Sequence, residues 1–136
     1  MSREIKFRAW DKRYKEMYEV TCIDWEAEFV WIKYYDDDRE EWFSREEHFA
    51  DFELLQYTGL KDKNDVEIYE GTVIGKKGCP NFYVTFELGS YVAVSTDKIQ
   101  ALNWKHWKLN EMLNLEFMSI GNFYQNPELL EAKKHE

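Results

Sequence analysis

Apolar and polar residues alternate along this chain in short runs separated by charged or glycine-containing turns. Ile5, Phe7 and Ala9 alternate with Lys6, Arg8 and Trp10, the period-two pattern of a half-buried strand with a basic outer side. Met17 to Trp25 and Glu28 to Tyr35, rich in Val, Ile, Tyr and Trp, predict two more strands, with a hairpin at Glu26-Ala27. Ser44-Arg45-Glu46-Glu47 fits the S-x-x-E capping box, and Phe49 and Phe52 follow at helical spacing, so a short helix is expected there. Glu53 to Tyr57 reverts to strand. Beyond a charged turn, Val66 to Ile74 predicts one long bent strand with a bulge at Gly71. Lys76 to Asn81 reverses the chain. Phe82, Val84 and Phe86 then alternate with Tyr83, Thr85 and Glu87, Gly89-Ser90 turns, and Tyr91 to Ser95 runs back. Trp104 to Leu113 reads equally as short helix or loop. Leu115 to Ile120 predicts a closing strand, and Pro127 to Lys134 a terminal helix with Asn126 as its cap.

Four or five short strands at this spacing, opened by Glu70-Gly71-Thr72-Val73-Ile74, predict a small, strongly bent barrel of the SH3 type. The expected fold is therefore mainly β with some α, one domain over 1–136. Residues 1–55 supply N-terminal strands and a short helix, 56–126 the SH3-like barrel region, and 127–136 a C-terminal helix and tail. Ile5, Phe7, Ile68, Val73, Val84, Phe86 and Val94, on the apolar sides of their strands, are the expected core.

Composition adds two things. The chain has 136 residues, enough for one real core, and 18% are aromatic, including six Trp. That is more ring surface than so small a domain readily buries, so a homo-oligomer is expected, with Trp10, Trp31, Trp42, Trp104 or Trp107 in the contact. The net charge of −9 is concentrated: Met1 to Lys15 carries six basic and two acidic groups, Glu16 to Gln56 three basic and fourteen acidic. The run Asp36 to Glu41 reads as a solvated turn. No apolar run approaches the ~20 residues of a membrane span and the charged start lacks a signal-peptide core, so a cytoplasmic location and no membrane partner are expected. Cys22 and Cys79 match no metal or redox spacing and are expected to be packed free thiols.

The densest local signal is Gln56 to Ile74, QYTGLKDKNDVEIYEGTVI, in which two apolar arms flank a turn of small and charged residues. It closely resembles the signature of the YopX family, small proteins encoded mostly by bacteriophages and prophages. REIKFRAWDK at Arg3 to Lys12 and IGNFYQNPELLE at Ile120 to Glu131 resemble the same family, so the resemblance spans the chain. Tyr57, Gly59, Leu60, Asp62, Glu67, Ile68, Tyr69, Glu70 and Gly71 fall on the signature and are read as fold-forming. Asp65 stands where the signature usually has glycine, and Thr72 where it usually has aspartate. The resemblance implies phage or prophage origin and an SH3-like fold, and brings no established biochemical activity.

Motifs of catalysis are lacking. The sequence has no G-x-S-x-G elbow, P-loop or G-x-G-x-x-G; Asp62, Asn64 and Asp65 break the spacing of a calcium loop; His48, His106 and His135 lack partners at ligand spacing. No catalytic residue, metal or cofactor is expected. The sharpest candidate for a binding surface is Trp104-Lys105-His106-Trp107-Lys108, where rings alternate with cations as in single-strand nucleic-acid grips, with Arg8 on the basic first strand as an accessory. The net negative charge opposes polyanion affinity. The sequence therefore favours a non-enzymatic binding or assembly module whose partners are its own copies or phage or host proteins, with single-stranded nucleic acid second.

Overall fold

The computed structural model describes residues 4–95 and 107–130, and the chain divides into two compact units, Glu4–Gln56 and a second beginning at Tyr57. The first unit is an antiparallel meander. Its strands are β1 (Phe7–Asp11), β2 (Glu16–Asp24), β3 (Phe29–Asp36) and β4 (Glu41–His48), followed by a 3-10 turn at Phe49–Asp51 and the first half of β5 (Phe52–Lys61). The order is β4-β3-β2-β1-β5. One device makes all three hairpins. Asp11 Oδ1 accepts from the amides of Arg13 (2.9 Å) and Tyr14 (3.3 Å), Asp24 Oδ1 from Ala27 (2.9 Å), and Asp36 Oδ1 from Asp38 (3.0 Å) and Arg39 (3.2 Å). Four residues past each aspartate, Lys15, Glu28 and Glu40 take positive φ, near 60°. Aspartate favours such turns because its short carboxylate satisfies turn amides. The acidic run from Asp36 is therefore a turn, and its first carboxylate shapes it.

Ala9, Val30, Ile32 and Phe52 form the core of this unit, with Tyr18, Val20, Ile23, Phe49 and Leu54 packed on them. Two expectations fail here. Ile5 precedes β1 and is exposed, and Phe7 is only half-buried, so Ala9 carries the buried side of the first strand. Ser44–Glu47 is not a helix start: it lies within β4, which pairs with β3 residue for residue from Phe29↔His48 to Asp36↔Glu41. A capping box contributes about 1 kcal/mol locally, and an eight-residue ladder with Tyr34 stacked on Phe43 outweighs it.

The second unit holds the rest of β5, then β6 (Glu67–Tyr69), β7 (Thr72–Gly75), β8 (Phe82–Glu87), β9 (Ser90–Ser95), β10 (Trp107–Lys108), α1 (Leu109–Asn114), β11 (Met118–Asn122) and a 3-10 turn at Pro127–Leu130. A five-stranded antiparallel sheet runs β10-β9-β8-β7-β11. Ile68, Ile74, Phe82, Val84, Ala93, Leu109, Met112 and Phe117 form its core, and Val73 and Val94 are also buried as expected. Among the described residues neither sheet closes on itself.

Here the long bent strand is two strands, because Gly71, at φ +84°, turns the chain between β6 and β7. Phe86 is 52% exposed and not core: the β8–β9 hairpin runs past the packed centre, and Phe86 meets Tyr91 across it at 5.1 Å. The closing strand begins three residues later than expected, since Leu115 and Glu116 finish the helix turn. Of the terminal helix, the described part is the 3-10 turn alone. Cys79 packs against the core of this unit, whereas Cys22 is exposed on β2 rather than packed.

Candidate functional site: the signature hairpin and an aromatic cleft

The signature builds backbone geometry. Tyr57 lies opposite Tyr69, with ring centroids 5.4 Å apart, and the next paired residues are Lys61 and Glu67, so β5 carries extra residues against β6. Gly59, at φ +84°, and Thr58 make that bulge: Thr58 Oγ1 donates to the Ile68 carbonyl (2.7 Å) and accepts from the Leu60 amide (3.2 Å). Ile68 is fully buried, and Leu60 packs on the same core. Asp62 organises the turn. Its buried carboxylate accepts from the amides of Asn64 (2.9 Å) and Val66 (3.0 Å) through Oδ1, and from Ser119 on β11 (2.9 Å) through Oδ2. Asp65 occupies the left-handed region at φ 65°, the conformation its family-typical glycine would adopt.

At the other end of β6, Thr72 Oγ1 accepts from the Tyr69 amide (3.0 Å), a turn-closing role an aspartate oxygen could also fill. Gly71 donates its N–H to the Val84 carbonyl (2.7 Å) and accepts from the Phe123 amide (3.0 Å). A Cβ there would stand 2.7 Å from Tyr124 Cε2. Glu67 and Glu70 are half-buried beside these turns. The signature residues thus come together as a structural joint.

The residues expected to form a nucleic-acid surface are described only in part. Trp104, Lys105 and His106 lie outside the described residues; Trp107 and Lys108 form the exposed β10 on the second unit. Arg8 lies half-buried in the first unit, opposite Glu19. Its basic companions face carboxylates: Lys6 pairs with Glu4 (3.2 Å), Lys12 with Glu53 (3.8 Å), and Arg13 with Asp11 (3.3 Å), Glu47 (3.2 Å) and Asp51 (3.6 Å). Burial alone would push the Asp11 carboxyl up, but hydrogen bonds from the Arg13 side chain and from the Arg13 and Tyr14 amides prevail and hold it below the usual carboxylate range.

The concave feature that the sequence reading missed lies in the first unit. Pairing between β2 and β3 stops at Glu19↔Lys33; beyond it, Glu16–Glu19 stay with β1 and Tyr34–Asp36 with β4. The strands part around a cleft of about 500 Å³ lined by Glu16, Met17, Tyr18, Glu19, Lys33, Tyr34, Tyr35, Trp42 and Arg45. The Arg45 guanidinium sits 5.2 Å from the Tyr18 ring and 5.1 Å from that of Tyr34, while its Nε donates to Glu47 (2.8 Å). Tyr18 donates its hydroxyl to Glu16; burial, and then that bond, raise its pKa above the usual phenol value. Lys33 Nζ lies 4.9 Å from the Trp42 ring, which meets Tyr35 edge to face at 5.3 Å. Tyr35 and Trp42 remain 45% and 61% exposed, and Trp31 lies on the same side of β3. The signal was present as Tyr34-Tyr35 and Trp42-Phe43 set symmetrically about an acidic turn, but assigning Ser44–Glu47 to a helix hid the cross-strand pairing.

This geometry suits holding a ligand against rings and paired charges. It defines a small antiparallel β protein with an aromatic-lined cleft in its first unit. A family model described as YopX protein matches residues 6–131, and the chain belongs to the YopX family. It is also similar to the crystal structure of protein EF1440 from Enterococcus faecalis, with a TM-score of 0.64 and 26% identity, over 96% of this chain and 100% of that one. No curated protein matches it. No helix among the described residues is long and apolar enough to cross a membrane.

Proposed function

We propose that the chain is a non-enzymatic binding or assembly module of phage or prophage origin, acting in the bacterial cytoplasm through the aromatic cleft of its first unit. The observation that carries this reading is the exposure of Tyr35 and Trp42 beside the cleft, with the opposite side of β3 packed in the core through Val30 and Ile32 and that of β4 half-buried. Rings left at a surface with cations held over them are the usual anchors of protein recognition. The second unit is then the scaffold, an open SH3-type barrel: a four-strand meander, a short helix, and a fifth strand returning beside the first support that description. Single-stranded nucleic acid ranks second, because Lys12 and Arg13 face carboxylates and the chain is net negative.

Selection of a random dodecapeptide library on the full chain tests this reading. Peptides that bind the wild type and lose at least tenfold affinity for Trp42→Ala are expected; enriched peptides that bind the variant equally well would overturn it.

A further inference from the structure

Strand β4 ends the sheet order of the first unit, and among the described residues no strand lies on its far side. It runs eight residues against β3 without a register shift and contains neither proline nor glycine. Edge strands are usually blunted by such interruptions or by charged side chains, because a regular edge is a template for another strand; β4 carries charges alone, so its edge admits a strand of complementary charge. The phase of its hydrogen bonding is fixed. Phe49 N–H donates to the Glu28 carbonyl (3.0 Å), so along the antiparallel ladder Glu47, Arg45, Phe43 and Glu41 turn their main-chain groups toward β3. Trp42, Ser44 and Glu46 therefore direct N–H and C=O outward, and all three side chains are exposed.

The charge around this edge selects the occupant. Glu16 to Gln56 holds fourteen acidic groups against three basic ones. The three cations are engaged locally: Lys33 over Trp42, Arg39 with Asp36 and the Phe43 ring, Arg45 with Glu47 and two tyrosines. A second copy pairing antiparallel through β4 about Ser44 would set Glu41 against the partner's Glu47, and Glu47 against the partner's Glu41, and like charges across strands repel. Resting on the proposed binding role of this unit, we infer that β4 accepts a basic extended segment of a partner protein as an added antiparallel strand. Alternate Lys or Arg side chains of that segment meet the exposed Trp42 ring and Glu46.

The probe is a capped heptapeptide alternating lysine with threonine and valine, titrated into the full chain by fluorescence anisotropy. Its controls are the same peptide with glutamate for lysine, one N-methylated at alternate amides, and a thymidine oligonucleotide. The lysine peptide is expected to bind, to weaken at least tenfold on N-methylation of the amides that face β4, and to weaken as salt rises. Ser44→Pro, which removes an outward N–H and no ladder bond to β3, and Glu46→Lys should each cost a similar factor. The N-methylated peptide gives the same readout with the protein unaltered, should the proline variant fold poorly. Failure of the lysine peptide to bind, indifference to N-methylation, or tighter binding of the acidic peptide or the oligonucleotide overturns the inference. If library selection yields Trp42-dependent peptides without basic alternation, this inference falls and the broader binding role stands.

Discussion

Asp62 shows how one side chain can hold distant backbone together. Its two oxygens satisfy amides on its own turn and on β11, 57 positions along the chain. Asp62→Ala leaves those buried donors unpaired and should cost about 3 kcal/mol in denaturant unfolding, given ~1.5–3 kcal/mol for hydrogen bonds to charged groups. Asp62→Asn keeps an oxygen for Asn64 and Val66 but offers an amide toward Ser119, so a smaller loss is expected. Thr72 makes the same point in miniature: Thr72→Ser should be nearly neutral and Thr72→Val should cost ~1–3 kcal/mol, because only the second orphans the Tyr69 amide. Equal losses for both Thr72 variants would show that the methyl group matters as much as the hydroxyl. Asp11 adds a pH dependence. Its folded pKa lies below the unfolded value of ~3.9, so its contribution is complete above that value and is lost as pH falls through the folded pKa. Asp11→Asn should flatten the stability profile in that acidic window, which urea melts across it would reveal.

At the scale of the element, the strands were legible because alternation and turn chemistry agreed. Phe82 and Val84, the signature turn and the Glu26-Ala27 hairpin fall where the pattern puts them. Legibility ended where two rules competed. Ser44–Glu47 satisfies a helix-start rule, yet Phe43 and Trp42 face aromatic partners across an acidic turn, and the ladder prevails. Alternation also reveals which side of a strand is apolar without revealing how far the packed centre reaches, which is why Phe86 reads as core and is exposed. Paired substitutions separate the two cases. Ile68→Ala should cost roughly 2–5 kcal/mol, and Phe86→Ala less than ~1 kcal/mol, as for surface positions. Similar losses at both positions would contradict the packing described. The cleft was illegible for a different reason: it arises where pairing stops between β2 and β3, a tertiary event that neither strand's own pattern encodes.

For the whole molecule, acidic charge concentrates in the first unit, where most of the exposed rings among the described residues also lie, and the family signature builds a joint in the second. Among the described residues the exposed rings are Tyr14, Trp25, Trp31, Tyr35 and Trp42 on the first unit and Phe86 and Trp107 on the second, whereas Trp10, expected in a contact between copies, is buried. If rings of this kind also bring copies together, light scattering at micromolar concentration should give a mass above that of one 16.6 kDa chain, and Trp31→Ala with Trp42→Ala should reduce it to the monomer. A monomeric wild type would leave the rings to other partners.

The central claim is that ligands engage the first unit while the signature hairpin is structural. Amide hydrogen exchange of the full chain, with and without a saturating library-selected peptide, tests it most directly. Added protection should fall on residues 41–48 and 33–36, strongest at the outward amides of Trp42, Ser44 and Glu46. Protection confined to residues 57–74, with β4 unchanged, would contradict it.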